Sequence, residues 1–337
     1  MIAETLVGLE HTVLDARGRR IFSETAEARL QPIRGPLLDL AELRAAGRLT
    51  VRRDAGLGDC LMILPGLRAV REAAPGVHIS FEAPRAYTGL LERFREVDAA
   101  LPLERARGRA PEVFANLSGF VERHPEAWRR DRIDLFAEAL GVAVSGELPG
   151  YCALKSDLVW AREWIGRRLP GPLSGVVGLA LRGIYRHRSW PMHNVYRLAE
   201  MLVDAGVGVI MFDGEREAPR MPHRGAGVAH AYGLPLEMVA ALVVRCDAVV
   251  SPDTGLLHLA GMLRVPTAGI FGAVHPDLRT KHYRRHVSLI AEELPCVPCC
   301  EGPRHSSCEV ECMAAIAPEM VWERLRALGV GADSAED

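Results

Sequence analysis

At 337 residues, 49% hydrophobic and 25% charged, the chain is too long for a single core of ordinary size and suits two soluble α/β-sized domains. A formal net charge of −2 gives no global reason for a polyanion partner. No apolar run reaches the roughly 18 residues of a membrane span, and the N-terminus lacks the basic-then-apolar pattern of an export signal, so a cytoplasmic, reducing location is expected. Peripheral membrane contact and homo-oligomer formation stay open.

In chain order, residues 1–48 form an N-terminal extension. TVLDARGRRIFSE alternates around Arg17-Gly18 and predicts a β-hairpin; LLDLAELRAAG predicts a short helix ending at Gly47. RLTVRR (48–53) reads as a strand leading through DAGLGD into a helix. There Leu61, Leu64, Leu67 and Val70 form a buried stripe, and Pro65 marks a kink or the first turn. HISFEAP (78–84) is the next strand and 86–95 the next helix. VDAALPL and EVFANLS are shorter strands, and DRIDLFAEALGV (131–142) is an amphipathic helix. GELPGYCALKSD (146–157) is the linker, with Asp157 as N-cap of a helix over 158–169. GVVGLAL (175–181) is a near-continuous apolar strand of the kind buried in parallel sheets. Helices at 193–205, 235–245 and 255–263 alternate with strands at 207–212, 247–251 and 267–271. The alternation predicts an α/β fold of two Rossmann-like, doubly wound domains, 49–155 and 156–317, facing a cleft, with a final helix and tail over 318–337.

Four turns carry candidate chemistry. In DAGLGD, Gly56 and Gly58 permit a tight turn and close approach of a ligand, and Asp59 at the helix start suits a general base or a plain N-cap. In DTGLLH, the helix mouth at Asp253, Thr254 and Gly255 offers free N–H groups and a positive dipole end to a diphosphate, with His258 one turn in. RHRSWP follows the 175–181 strand, so Arg188 can neutralise a leaving diphosphate, with Arg182 and Arg186 as rivals. In MFDGEREA, Glu217, or Glu215, can accept from ribose hydroxyls beyond a Rossmann strand. A fifth segment, CVPCCEGPRHSSCEVEC, spaces Cys296, Cys299, Cys308 and Cys312 for a closed structural zinc or iron knuckle, with Cys300 and His305 as spare ligands. Cys60, Cys152 and Cys246 read as inert buried thiols.

Taken together and in order, GLGDCLMILPGLRAVREAAPGVHI, RSWPMHNVYRLAEML, FDGEREA, DTGLLHLAGMLRVPTAGIFG and the closing CVPC…CEVECMAAIAPEMVWERL resemble glycosyltransferase family 9, the lipopolysaccharide heptosyltransferase family. The resemblance implies a GT-B architecture, with the acceptor on the first domain and the nucleotide-sugar on the second, and a last helix packing back toward the first. It implies inversion at the anomeric carbon with no catalytic metal. It places Asp59 as the catalytic base, Arg188 where many members carry a phosphate-binding lysine, and Glu217 on the ribose. Asp253, Thr254, Gly255 and His258, with Gly58 opposite, become the donor loop. The implied donor is a nucleoside-diphosphate sugar, ADP-heptose in the best-known members, and the acceptor a glycan, a protein or another hydroxyl compound. Residues 1–48 and the short, Arg-rich 104–130 region depart from the family pattern and leave the acceptor open. A GT-B nucleotide-sugar epimerase and a non-catalytic sugar-nucleotide-binding assembly subunit are the alternatives.

Overall fold

The computed structural model describes residues 35–105, 113–183, 185–219, 221, 227–299 and 309–331, with the backbone of two short strands before them. Those strands, β1 (Val13–Leu14) and β2 (Arg20–Phe22), pair antiparallel as the expected hairpin. Helix α1 (Leu40–Ala46) is capped by the Asp39 carboxylate, which accepts from the Ala41 N–H at 2.7 Å, and stops at Gly47, whose φ of 69° suits glycine. Its buried Leu43 seals the first core.

The first lobe follows with β3 (Arg48–Arg52), α2 (Leu57–Ala73), β4 (His78–Ala83), α3 (Arg85–Leu91), β5 (Ala99–Pro102), β6 (Phe114–Asn116), α4 (Phe120–Arg123) and α5 (Arg132–Ala139). Its four strands are parallel in the order β5-β4-β3-β6. The second lobe contains α6 (Lys155–Arg168), β7 (Gly175–Ala180), α7 (Met192–Asp204), β8 (Val207–Asp213), β9 (Val228–Tyr232), α8 (Leu236–Val243) and β10 (Ala248–Pro252). It continues with α9 (Gly255–Met262), β11 (Thr267–Phe271), β12 (His286–Ile290), α10 (Glu311–Ala314) and α11 (Pro318–Ala327). Its sheet is also parallel, in the order β12-β11-β10-β7-β8-β9. Each lobe reverses direction beside its first strand, between β3 and β6 and between β7 and β10. Open α/β sheets bind ligands beyond the carboxyl ends at such switch points.

Several local expectations are corrected. The linker helix begins at Lys155 with Leu154 at its N-cap. Asp157 instead lies buried in the first turn, 3.4 Å from Arg93, where it favours the helix dipole and ties the helix to the first lobe. Pro65 sits inside α2, beyond its first turn. Cys152 is exposed and receives Arg95 Nε, whereas Cys60 and Cys246 are buried and their thiols pushed up by burial. The last helix, α11, puts Val321 and Leu325 into the core of the second lobe beside α7 instead of packing back onto the first lobe. What joins the lobes is the first core itself, which extends across to Ala240, Leu259, Met262 and Tyr283.

Candidate functional site

Both lobes present a helix N-terminus at their switch points. The chain leaves β3 at Arg52 and enters α2 through the N-cap Gly56, which has no side chain to offer. It leaves β10 at Pro252 and enters α9 through Asp253 and the N-cap Thr254, which is extended and makes no side-chain cap bond. The Thr254 hydroxyl is instead 2.9 Å from that of Ser251. Neither N-cap residue caps its helix with its own side chain, and two positive dipole ends converge. They meet in contact: a Cβ on Gly58 would lie 2.6 Å from His258 Cδ2, and one on Gly255 3.1 Å from Leu57 Cβ. Gly58, expected to open the turn to a ligand, is what lets the two helices touch.

Asp59, in the first turn of α2, is buried between two guanidiniums. Arg53 Nη2 donates to its Oδ2 at 2.7 Å, and Arg132 Nη1 to its Oδ1 at 2.7 Å. Arg53 is fully buried over the Phe136 ring and also donates to Glu122 and the Leu117 carbonyl. Burial alone would raise the Asp59 pKa. The attraction of Arg132 and Arg53 outweighs it and holds the carboxyl well below its usual range. Asp59 is therefore ionised at any working pH, and while both guanidiniums hold it, it is a weak base.

On the opposite wall, Asp253 Oδ1 accepts from His258 Nε2 at 3.0 Å, and His258 Nδ1 lies 2.8 Å from the Tyr283 hydroxyl. Arg279 Nε and Arg188 Nη2 stand 3.4 and 3.8 Å from Asp253 Oδ2. Burial opposes the Asp253 charge, but Arg188, the His258 bond and Arg279 hold its carboxyl well below the usual range. Arg279 is 1% exposed, and its Nε and Nη2 have no hydrogen-bond partner among the described residues. Burial, then repulsion from Arg132, pushes its pKa down to about 9. It stays cationic at neutral pH, so Arg53, Arg132, Arg188 and Arg279 outnumber Asp59, Glu122 and Asp253 at the junction. An entering anion relieves that excess.

Of the rivals named from sequence, Arg182 is engaged by Asp213 at 2.8 Å and Glu215 at 3.1 Å, and Arg186 is exposed. That leaves Arg188 beside Asp253 and leaves Glu217 exposed in the turn after β8. Arg188 and Asp253 also line a cavity of about 10 Å³ with residues 270–274, too small for a nucleotide. A larger hollow of about 330 Å³ lies away from these groups, at Glu323, Arg326, Val330 and Gly331. Sequence reading gave no role to Arg53, Arg132, Arg279 or Tyr283. The signal for Arg53 was position, directly after the carboxyl end of β3, whereas Arg279 comes only after the turn at Pro276–Leu278 that follows β11.

The cysteine knuckle is seen only in part, because Cys300, His305 and Cys308 fall outside the described residues. Cys296 is exposed, Cys299 half-buried, and Cys312 buried against Gly272. Among the described residues these three do not converge as metal ligands; the group that does is Asp131, Asp134 and His282. Within it Asp134 already bridges the lobes, accepting from Lys281 Nζ at 2.7 Å and from His282 Nε2 at 2.8 Å, while Asp131 Oδ1 accepts from the Ile133 N–H and its buried Oδ2 has no hydrogen-bond partner among the described residues. The His282 bond, resisted by burial and supported by Lys281, holds the Asp134 pKa at about 2, so the bridge persists in mild acid and is lost as pH falls through that value. Because the shared core still joins the lobes, Asp134→Ala is expected only to loosen the 281–283 segment, seen as faster amide hydrogen exchange there. Unchanged exchange would remove the bridging role.

Residues 131–309 match the sequence model of Glycosyltransferase family 9 (heptosyltransferase). Lipopolysaccharide heptosyltransferase 1 of Pseudomonas aeruginosa is 30% identical over 187 residues, 54% of this chain and 51% of that protein. The chain spans about half the length of the curated relatives it matches. Among solved structures, E. coli ADP-heptose lps heptosyltransferase II superposes with a TM-score of 0.66 at 17% identity, covering 83% of this chain and 98% of that one. The iron-containing dodecameric glycosyltransferase TibC from enterotoxigenic E. coli H10407 superposes with a TM-score of 0.63 at 16% identity, covering 88% and 77%. These structural likenesses carry the fold, two facing Rossmann-like domains.

Proposed function

The chain belongs to glycosyltransferase family 9, and from that premise we propose that it is a cytoplasmic inverting enzyme that moves heptose from ADP-heptose to an acceptor hydroxyl. The observation that carries the reading is the convergence of two helix N-termini, from opposite lobes, beside two buried arginines, Arg53 and Arg279, and two half-buried ones, Arg132 and Arg188. Such a junction suits a diphosphate. No helix among the described residues is long and apolar enough to cross a membrane.

The diphosphate would rest on the Thr254–Gly255 turn with Arg188 beside it. Asp253 Oδ2 would accept from a sugar hydroxyl, and Glu217 from the ribose. Asp59 stands on the facing wall. An acceptor hydroxyl held there attacks the anomeric carbon from the side opposite the leaving group, which inverts the centre. The new C–O bond forms as the bond to the phosphate oxygen breaks, its electron pair leaves with ADP, and the hydroxyl proton passes to Asp59. Displacement of Arg132 from Oδ1 by the entering acceptor would restore basicity to that carboxylate. ADP is a good leaving group and needs only charge stabilisation, which Arg188, Arg279 and the helix mouth supply. The lobes touch at Gly58 and His258, so they part to admit ligands and close to exclude water.

The test is incubation with ADP-heptose, with and without candidate acceptors. ADP-heptose should raise the melting temperature, and ADP release should require acceptor. An isomerised sugar from donor alone would instead indicate an epimerase. Arg188→Ala is expected to weaken ADP binding about tenfold or more by calorimetry, the loss of a charge-assisted contact. Equal affinity would reject its role.

A further inference from the structure

Beyond the loops that form the cleft, one buried side chain connects the donor wall to the lobe junction. Tyr283 lies with its ring over α9: a Cβ on Gly261 would come within 2.6 Å of the ring carbon Cδ2. The ring is also edge-on to His286 and belongs to the core shared by the two lobes. Its hydroxyl is 2.8 Å from His258 Nδ1, and the other ring nitrogen, Nε2, is 3.0 Å from Asp253 Oδ1.

The proton positions in this chain follow from the donor inventory. Asp253 is an ionised carboxylate and only accepts, so His258 Nε2 carries hydrogen. In the neutral ring Nδ1 then accepts, and Tyr283 donates to it. Burial pushes the Tyr283 phenol well up, so the hydroxyl keeps its proton. The chain Tyr283 to His258 to Asp253 therefore runs in one direction and occupies Oδ1. Oδ2 has no hydrogen-bond partner among the described residues, although Arg279 and Arg188 stand within ion-pair range.

We propose that Tyr283 is a positioning residue of the donor site: its hydroxyl fixes the tautomer and angle of His258, and through His258 it orients Asp253 to present Oδ2 to a hydroxyl of the transferred sugar. The inference rests on reading this wall as the nucleotide-sugar pocket. The residues just before Tyr283, Lys281 and His282, are those that hold Asp134 of the first lobe. The segment 281–283 thus joins lobe contact and donor wall within one turn of chain.

Tyr283→Phe keeps the ring over Gly261 and removes only the hydroxyl. The expected result is a donor KM raised about tenfold with kcat changed less than about twofold, the scale of one unsatisfied buried nitrogen. In the His258→Ala background the same substitution should have no further effect, because its path is gone. Imidazole 15N NMR gives a readout independent of turnover: His258 should be the Nε2–H tautomer in the wild type and a mixture in Tyr283→Phe. An unchanged tautomer, or effects that multiply in the double variant, would overturn the proposal. Failure of both proteins to bind any nucleotide-sugar would sink the donor-pocket reading instead, while the NMR result still reports whether Tyr283 sets His258.

Discussion

Asp59→Asn is expected to lower sugar transfer by about 10²–10⁴-fold while leaving ADP-heptose affinity within about twofold, as for loss of a general base. Asparagine keeps the shape of the side chain and removes its charge, so the donor wall is undisturbed. The same change takes the charge from both Arg53, 1% exposed, and Arg132, leaves Glu122 as the charged partner of Arg53, and leaves one amide oxygen to accept from only one of the two guanidiniums. Breaking a buried pair costs about 3–5 kcal/mol, and the lower end applies because Glu122 remains. The folded carboxyl is held below its unfolded value. Its stabilisation is present above the ordinary carboxylate range and is lost only as pH falls through the depressed value. The stability gap between wild type and variant should therefore stay constant from pH 8 to about 5 and narrow in strong acid. Denaturant titrations across that range check the stability arm, and steady-state transfer assays the catalytic one. Full turnover in Asp59→Asn would remove Asp59 from the chemistry.

Gly58→Ala is the second large effect expected. The new Cβ would lie 2.6 Å from His258 Cδ2, and His258 cannot swing aside without breaking its bonds to Asp253 and Tyr283. Helix α2 must then move off α9, at about 1–3 kcal/mol for overpacking. Closure would be impaired, and kcat/KM for transfer should fall at least about tenfold, the price of a misaligned site. Gly56→Ala is the control, because its φ of −61° is ordinary and a Cβ there meets nothing within 4 Å. Equal activity in Gly58→Ala and Gly56→Ala would show that the lobes do not close through this contact.

The alternation of 3.6-period helices with apolar strands made most of both sheets legible. Strands β9 and β12 were not, and both lie at the edges of the second sheet. An edge strand is half covered, so VAHAY and HVSLI mix histidine and serine into their apolar residues and lose the unbroken run that marks β7. The helix-mouth residues Asp59, Asp253, Thr254 and His258 were readable because turn, cap and carboxylate stand together in the chain. Their partners were not. Arg132 reaches Asp59 from 73 positions away, and Tyr283 reaches His258 from 25 away, each across a packing contact that no local pattern encodes. Gly58 was read as room for a ligand, whereas the room is taken by an imidazole from the other lobe.

A crystal structure of the protein with ADP would show whether a diphosphate binds where the two helix mouths converge. Phosphate oxygens are expected within hydrogen-bond distance of the backbone N–H groups that follow Thr254 and of the Arg188 guanidinium, with Asp59 across the cleft. ADP seated elsewhere, for example in the hollow at Glu323 and Val330, with the Thr254–Gly255 turn making no contact to phosphate, would contradict this placement.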